Sequence, residues 1–151
     1  MIGIGSNLVL GPSKEYLFAV VTQPVGLFFK SGLSPSLFTI SDYDRAAHHG
    51  TGDVKVGGNY AASFYPNSLA KKQGYTDCLY LDPLTHTKID ESGAANFFAI
   101  MNDSTFVTPK SDTILPSITK RSLVDIAKNF LHLKVIEGDI DIKDLEYFTE
   151  A

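Results

Sequence analysis

The alternation of helical and extended segments is the feature that most constrains how this chain can fold. A helix is predicted from about 59 to 73 by four residues at helical spacing: Ala62, Tyr65, Leu69 and Ala70. Gly74 is well suited to end this helix. The apolar run Asp77–Leu81 follows at once and predicts a strand. A helix that leads directly into a strand favours an α/β architecture.

Further segments of both kinds are predicted along the chain. Strands are expected at five places: 16–21 (as a buried strand), 37–40, 96–101, 105–108 and around 135–136. The turn at Asn102-Asp103 makes the third and fourth of these a hairpin. A second helix begins at Pro116-Ser117, and a short one follows Asp141. The inward stripe of the second helix contains five apolar residues: Leu123, Ile126, Ala127, Phe130 and Leu131. This mixture predicts a mixed α/β sheet.

Length and composition narrow the class of protein. The chain has 151 residues, which fits a single domain, and 44% of them are hydrophobic, which is enough for a core. The net charge of −4 and the scattered Lys and Arg residues argue against a nucleic-acid surface. The apolar stretches are too short to cross a bilayer, and the N-terminus lacks a signal-peptide pattern. We therefore expect a protein without nucleic-acid or membrane partners.

The cysteine and histidine residues indicate neither a disulfide nor a metal site. The single cysteine, Cys78, excludes an internal disulfide and suits the reducing cytoplasm. It lies in an apolar run, so it is interpreted as a small buried hydrophobe rather than a nucleophile. His48 and His49 are adjacent and therefore diverge, and His86 is distant in sequence. No metal site is predicted.

The segment from Thr51 to Tyr60 carries the first candidate for chemistry. Lys55 stands between Val54 and Val56, which favours a strand and partly apolar surroundings. Desolvation lowers the pKa of a lysine and frees its amine for Schiff-base chemistry. Gly57-Gly58 leaves room for a planar ligand close to the backbone. Taken alone, such a pattern is more often a surface lysine beside a turn.

Two later segments are candidates of the same kind. Glu91 precedes small residues and an apolar strand, and a carboxylate beside a pyridine nitrogen stabilises its protonated form. A solvated hairpin turn is the alternative at Glu91. Further along, Ile118 and Thr119 lie at the start of a helix, where free N–H groups and the helix dipole bind phosphate. An ordinary helix start is the alternative there.

In their order along the chain and in their residues, the three segments together resemble the branched-chain aminotransferases, which belong to the fold-type IV group of pyridoxal-phosphate enzymes. The first matches the pattern G-D-x-K-x-G-G-N-Y with Gly52, Asp53, Lys55, Gly57, Gly58, Asn59 and Tyr60. The second matches E-x-G-x-x-N-x-F with Glu91, Gly93, Asn96 and Phe98. The third matches L-P-G-I-T/V with Leu115, Pro116, Ile118 and Thr119. The likeness extends from about Ile2 onward.

The resemblance implies a transaminase that moves an amino group from leucine, isoleucine or valine to 2-oxoglutarate through pyridoxal 5′-phosphate. Lys55 is implied to bond the cofactor and to shuttle a proton between the substrate Cα and the cofactor C4′. Tyr60 is implied to hydrogen-bond the phenolic oxygen of the cofactor, and Glu91 to pair with its pyridine nitrogen. Arg45, at a family-like position before Lys55, either organises this site or is structural, and the structural role is favoured.

The third segment and the substrate side complete the implied site. Leu115 is implied to pack on the cofactor ring, and the backbone N–H groups of Ile118 and Thr119 to bind the phosphate. Ala94 is implied to lie near the substrate carboxylate. Ser117 replaces the usual glycine of the family, a minor departure because the N–H groups remain available.

The resemblance also implies a fold and an assembly. The fold is a mixed, partly barrel-like sheet with flanking helices, the large C-terminal domain of the D-amino-acid aminotransferase-like fold. Family members are about twice as long, so residues 1–151 are expected to be one truncated cofactor-binding domain, poorly active without the N-terminal small domain and the C-terminal end. A homodimer in the cytoplasm is expected. The alternatives are a D-amino-acid aminotransferase or aminodeoxychorismate lyase of the same fold, or a non-catalytic, self-associating fragment.

Overall fold

The computed structural model describes residues 1–6, 8–26 and 36–151. Contacts divide the chain into two compact units, Met1–Pro35 and Ser36–Ala151. In the first unit, strands β1 (Ile2–Ile4) and β2 (Glu15–Leu17) form an antiparallel pair. The predicted buried strand at 16–21 is wrong, because pairing covers only its beginning and every residue of β2 is exposed. A two-stranded ribbon has too few neighbours to bury its own faces.

The second unit contains a three-stranded sheet with one helical crossover. Its elements are strand β3 (Phe38–Ile40), helix α1 (Gly57–Lys72), strand β4 (Asp77–Leu81) and strand β5 (Ile89–Ser92). Strand β3 runs parallel to β4, and β5 runs antiparallel to β4 on its other side. The predicted strand at 77–81 is confirmed residue for residue. A parallel pair needs a crossover connection, and α1 is part of it.

A second sheet of four strands follows along the chain. Its elements are β6 (Ala99–Met101), β7 (Phe106–Pro109), helix α2 (Ile118–Asn129), β8 (Val135–Gly138), a 3₁₀ helix (Ile142–Tyr147) and β9 (Phe148–Glu150). The strand order is β8-β7-β6-β9, with β7 and β8 parallel and the other pairs antiparallel. The predicted hairpin, second helix and short helix are confirmed with shifted ends. The mixed α/β class is therefore confirmed.

Buried apolar residues from both sheets form the main core of the second unit. They are Leu79, Leu81, Ile89, Ala99, Val107 and Ile140. A smaller cluster of Ala70, Cys78 and Tyr80 lies where α1 packs on β4. The interpretation of Cys78 as a buried hydrophobe is confirmed, since the residue is 2% exposed.

The predicted inward stripe of α2 is largely wrong, and in α1 the buried face differs from the row of residues that predicted the helix. In α1 the buried residues are Asn59, Ser63, Pro66 and Ala70, whereas Ala62 and Tyr65 are exposed. The buried row is therefore displaced by one position, and small or polar side chains occupy most of it. In α2 only Ala127 is buried. Ile126 in α2 is exposed, as are Phe130 and Leu131 just after the end of the helix.

Membrane spans and metal-binding clusters are both missing from the described residues. Among the helices described, none is long and apolar enough to cross a membrane. In the part of the chain that the structure describes, no three His, Cys, Asp or Glu side chains are grouped so that they could hold a metal ion.

Candidate active site

Lys55 lies in the loop that leads into α1. Its side chain is exposed, and its Nζ lies 4.6 Å from the centroid of the Tyr60 ring. The predicted strand and apolar surroundings at Lys55 are wrong. Helix α1 begins two residues later, after the N-cap residue Val56, and Val54 is 48% exposed. The structure thus brings two predicted site residues together and leaves the amine accessible.

Asn59 holds this loop in place. Its Nδ2 donates to the carbonyl oxygens of Thr51 at 2.6 Å and Val54 at 2.8 Å. The Thr51 hydroxyl donates to Asn59 Oδ1 at 2.9 Å. The asparagine of the first motif is therefore an anchor for the segment before Lys55, a role that sequence reasoning did not assign.

The glycines of the first motif have two different surroundings. A Cβ on Gly52 would collide with the carbonyl oxygen of Thr113, so only glycine fits at this close approach of two backbones. A Cβ on Gly57 or Gly58 would meet nothing within 4 Å. Open space beside this pair is compatible with a planar ligand there, and that role remains a prediction.

Glu91 lies in β5 and is 5% exposed. Its Oε1 pairs with Arg45 Nη2 at 2.9 Å and accepts a hydrogen bond from the Leu115 N–H at 3.4 Å. Its Oε2 accepts from Asn96 Nδ2 at 2.8 Å. A solvated turn is therefore the wrong interpretation of Glu91. The turn lies just beyond it, closed by Ser92 and Ala95, with Ala94 exposed.

Burial dominates the electrostatics of β5. It raises the pKa of Glu91 to about 7, against the positive charge of Arg45, which lowers it. Burial also raises the pKa of Asp90, whose Oδ2 accepts a hydrogen bond from Thr113 Oγ1 at 2.5 Å. Glu91 is thus able to exchange a proton near neutral pH.

Arg45 connects the segments that the motifs occupy. Its side chain is 8% exposed, and Nη2 donates to the carbonyl oxygen of Gly52 at 3.2 Å and to that of Thr113, besides pairing with Glu91. The structural role favoured for Arg45 from the sequence did not include contacts with Glu91, Gly52 or Thr113. A single sequence gives no signal that would link residues 46 or 68 positions apart.

The start of α2 presents the third motif. The Ser117 hydroxyl caps the helix by accepting from the Lys120 N–H at 3.2 Å. Ile118 and Thr119 are exposed, and first-turn N–H groups have no acceptor within their own helix. The Leu115 carbonyl accepts from Asn96 Nδ2 at 3.0 Å. Asn96 therefore joins Glu91 to the segment that enters α2.

A cavity of about 600 Å³ lies beside this helix start. Its lining residues are Asp53, Lys110, Ser111, Asp112, Ile114, Leu115, Pro116, Ser117, Lys120, Arg121 and Glu137. Of the predicted site residues only Leu115 belongs to this lining. Lys55, Glu91, Ile118 and Thr119 do not line this cavity.

Comparison with known proteins identifies the family. The family model for amino-transferase class IV matches residues 3–151. The branched-chain-amino-acid aminotransferase of Haemophilus influenzae is 56% identical over the whole of this chain, which covers 46% of that protein. The chain thus spans less than half the length of this relative.

Solved structures show the same fold. The branched-chain amino acid aminotransferase of Escherichia coli has a TM-score of 0.65 and 27% identity, over 75% of this chain and 38% of that one. The branched-chain amino acid aminotransferase of T.th., complexed with N-(5′-phosphopyridoxyl)-L-glutamate, has a TM-score of 0.66 and 25% identity, over 75% of this chain and 37% of that one. The resemblance drawn from the three motifs is confirmed, and the chain belongs to the class IV aminotransferase family.

Proposed function

We propose that the protein is a pyridoxal-phosphate-dependent transaminase that exchanges amino groups between branched-chain amino acids and 2-oxoglutarate. The observation that carries the proposal is the buried Glu91 carboxylate, which the second motif places in β5 and which titrates near neutral pH. The names of the relatives and the phosphopyridoxyl-glutamate bound to the T.th. protein support the cofactor and the substrate class.

The residues present fit such a cofactor by their hydrogen-bonding capacity. A carboxylate offers about four acceptor positions, and Glu91 uses three, for Arg45, Leu115 and Asn96. One position remains for an N–H of a ligand. At the other end, the N–H groups of Ile118 and Thr119 are free of intrahelical acceptors and suit a phosphate.

Each side chain then has a defined task. Pyridoxal phosphate supplies, when bound, an electron-withdrawing ring that stabilises negative charge at the α-carbon of the substrate. Lys55 Nζ would bond the cofactor as a nucleophile and would carry the proton to and from the substrate α-carbon. The Tyr60 hydroxyl would donate a hydrogen bond to the phenolic oxygen of the cofactor. Glu91 would hold the proton of the cofactor's pyridine nitrogen.

The remaining roles follow the motif positions. Leu115 packs against the ring, and Ala94, exposed in the turn after β5, lies on the side of the substrate carboxylate. We further propose a cytoplasmic homodimer in which this chain is the large, partly barrel-like domain. The single cysteine, buried as a thiol, supports a reducing compartment. Poor activity of this chain alone stays a prediction.

Cofactor trapping tests the proposal. Adding pyridoxal phosphate to the chain should produce a visible absorbance band. Reduction with borohydride should leave a phosphopyridoxyl group on Lys55, located by peptide mass spectrometry. Lys55→Ala should lose both signals, because the exposed amine beside Tyr60 is then missing.

Lys71→Ala is the matched control, since Lys71 is also exposed but lies in the last turn of α1. It should keep the band and the Lys55 adduct. A phosphopyridoxyl group spread over several lysines, and unchanged in Lys55→Ala, would contradict the proposal and favour the non-catalytic, self-associating alternative.

A further inference from the structure

Arg45 is a buried cation whose contacts reach three separate segments. Its Nη2 binds the Glu91 carboxylate in β5, the Gly52 carbonyl in the loop before α1, and the Thr113 carbonyl in the segment before α2. Gly52 and Thr113 are also in direct backbone contact, since a Cβ on Gly52 would collide with the Thr113 carbonyl. One guanidinium therefore lies where the first two motifs meet the segment that leads into the third.

Each contact of Arg45 adjoins a residue with a proposed role. Gly52 precedes Lys55 by three residues, and Thr113 precedes Leu115 by two. Glu91 is itself such a residue. We propose that Arg45 is a positioning residue, which fixes the Glu91 carboxylate against the lysine loop and the start of α2 and supplies its counter-charge. This inference rests on the proposed function of the site.

The geometry of Arg45 is poorly explained by stability alone. Among the described residues no acceptor binds its Nε, which is buried. A buried ion pair recovers its desolvation cost only when the remaining donors are also satisfied, so a pair with an open donor is a weak source of stability. The arrangement instead brings three oxygen atoms to Arg45 Nη2, which carries two N–H groups, so at least one contact is ionic or shares a hydrogen. Lysine would keep the charge, but its ammonium lies on a flexible stem and lacks the planar guanidinium.

The charges facing Glu91 come from three elements. Arg45 lies in the loop before α1, Asp90 in β5 beside Glu91, and Lys120 in the first turn of α2. Arg45 and Lys120 lower the pKa of Glu91, whereas Asp90 raises it, and Arg45 has the largest effect of the three. Removing Arg45 should therefore move the titration of Glu91 above its present midpoint of about 7.

Infrared titration of the cofactor-free chain tests this directly. The protonated carboxyl signal of Glu91 is obtained by subtracting the Glu91→Gln spectrum at each pH. In Arg45→Met this signal should persist at least one pH unit higher than in the parent. Arg45→Lys keeps the charge, so its Glu91 titration should lie closer to the parent, whereas its affinity for pyridoxal phosphate should fall at least tenfold. Lys128→Met removes a cation at the far end of α2 and should change neither measurement.

The outcomes separate this inference from the proposed function. An unshifted Glu91 titration in folded Arg45→Met would overturn the role of Arg45. If Arg45→Met does not fold, Arg45→Lys decides: parental titration with parental cofactor affinity would overturn it equally. If the parent chain takes up no pyridoxal phosphate, the proposed function fails, and the infrared shift alone still decides whether Arg45 governs Glu91.

Discussion

The two ends of the candidate site differ in how firmly the protein holds them. Lys55 is exposed, and the contact that the structure gives its amine is the face of the Tyr60 ring at 4.6 Å. Glu91 is 5% exposed and accepts from three partners on three different segments. The loop that carries Lys55 is anchored by Asn59, whereas the lysine side chain itself is not.

This difference matches the two chemical tasks. An amine that attacks a cofactor and then moves a proton must be accessible and able to change position. A carboxylate that holds one proton at a fixed atom works best with a settled orientation and a pKa close to the working pH. The cost of the second arrangement is a buried charge, and that cost should be measurable in the cofactor-free chain.

The largest expected effect concerns the buried end and its pH dependence. The pKa of Glu91 rises from 4.5 to about 7 on folding, so between these values the folded state binds more protons than the unfolded state. Stability should therefore fall as pH rises through this window, by roughly 3 kcal/mol at about 1.4 kcal/mol per pKa unit. Glu91→Gln cannot titrate, so urea unfolding of this variant across the same window should show a correspondingly flatter profile.

Asp90 provides the control for that experiment. Burial also raises the pKa of Asp90, so the stability contributed by Asp90 falls as pH rises, as it does for Glu91. Asp90→Asn should remove the contribution of Asp90 to this loss of stability and leave that of Glu91. Asp82 has a pKa lowered to about 2 and titrates below the window. Parallel profiles for the parent and Glu91→Gln would show that Glu91 is not buried as a charge, and the contrast between the two ends would disappear.

The second-largest expected effect concerns the close approach of Gly52 and Thr113, where the loop before α1 meets the segment before α2. Gly52→Ala places a Cβ against the Thr113 carbonyl, so the loop before α1 and the segment before α2 must move apart. Overpacking of this kind costs about 1–3 kcal/mol, which denaturant unfolding can resolve. Gly58→Ala is the matched control, because its Cβ meets nothing within 4 Å and alanine favours a helix. It should stay within about 1 kcal/mol of the parent, on the stabilising side.

Equal stabilities of the two glycine variants, both close to that of the parent, would contradict this interpretation of the motif. They would mean that the loop tolerates a Cβ at Gly52 and that the Arg45 contacts do not depend on the close approach. A loss confined to Gly52→Ala would locate the rigid part of the site at the Gly52–Thr113 crossing rather than at the Gly57-Gly58 pair.

Local patterns predicted most elements of the fold but not which faces are buried. The strand at 77–81 was predictable because an apolar run ended by turn residues needs no distant information. The predicted inward stripe of α2 failed because burial is decided by what packs on a helix, and the buried face of α1 was not predictable for the same reason. In α1 small and polar residues such as Ser63 are buried, and in α2 the apolar Ile126 faces solvent.

For the candidate site, the sequence indicated which residues to examine but not their contacts. The motifs located Lys55, Glu91 and the start of α2, but the strand assigned to Lys55 came from its two valine neighbours, and α1 begins too soon after them. The sequence offered an organising role for Arg45 only through its family-like position, and its contacts could not be predicted. Its partners Glu91 and Thr113 lie 46 and 68 positions away, and their meeting depends on how β5 and the segment before α2 are brought together.

The smallest expected effect concerns the exposed end. Lys55→Ala removes a cation–π contact with Tyr60, worth about 0.5–1 kcal/mol at an exposed site. It also removes a positive charge just before the N-terminus of α1, where the helix dipole disfavours cations by a few tenths of a kcal/mol. The two changes oppose each other, so the cofactor-free variant should unfold within about 0.5 kcal/mol of the parent in urea. A double-mutant cycle with Tyr60→Leu should return a coupling free energy below about 1 kcal/mol. A loss above about 2 kcal/mol would show that Lys55 is held as firmly as Glu91, and the accessible amine would then no longer distinguish this end of the site.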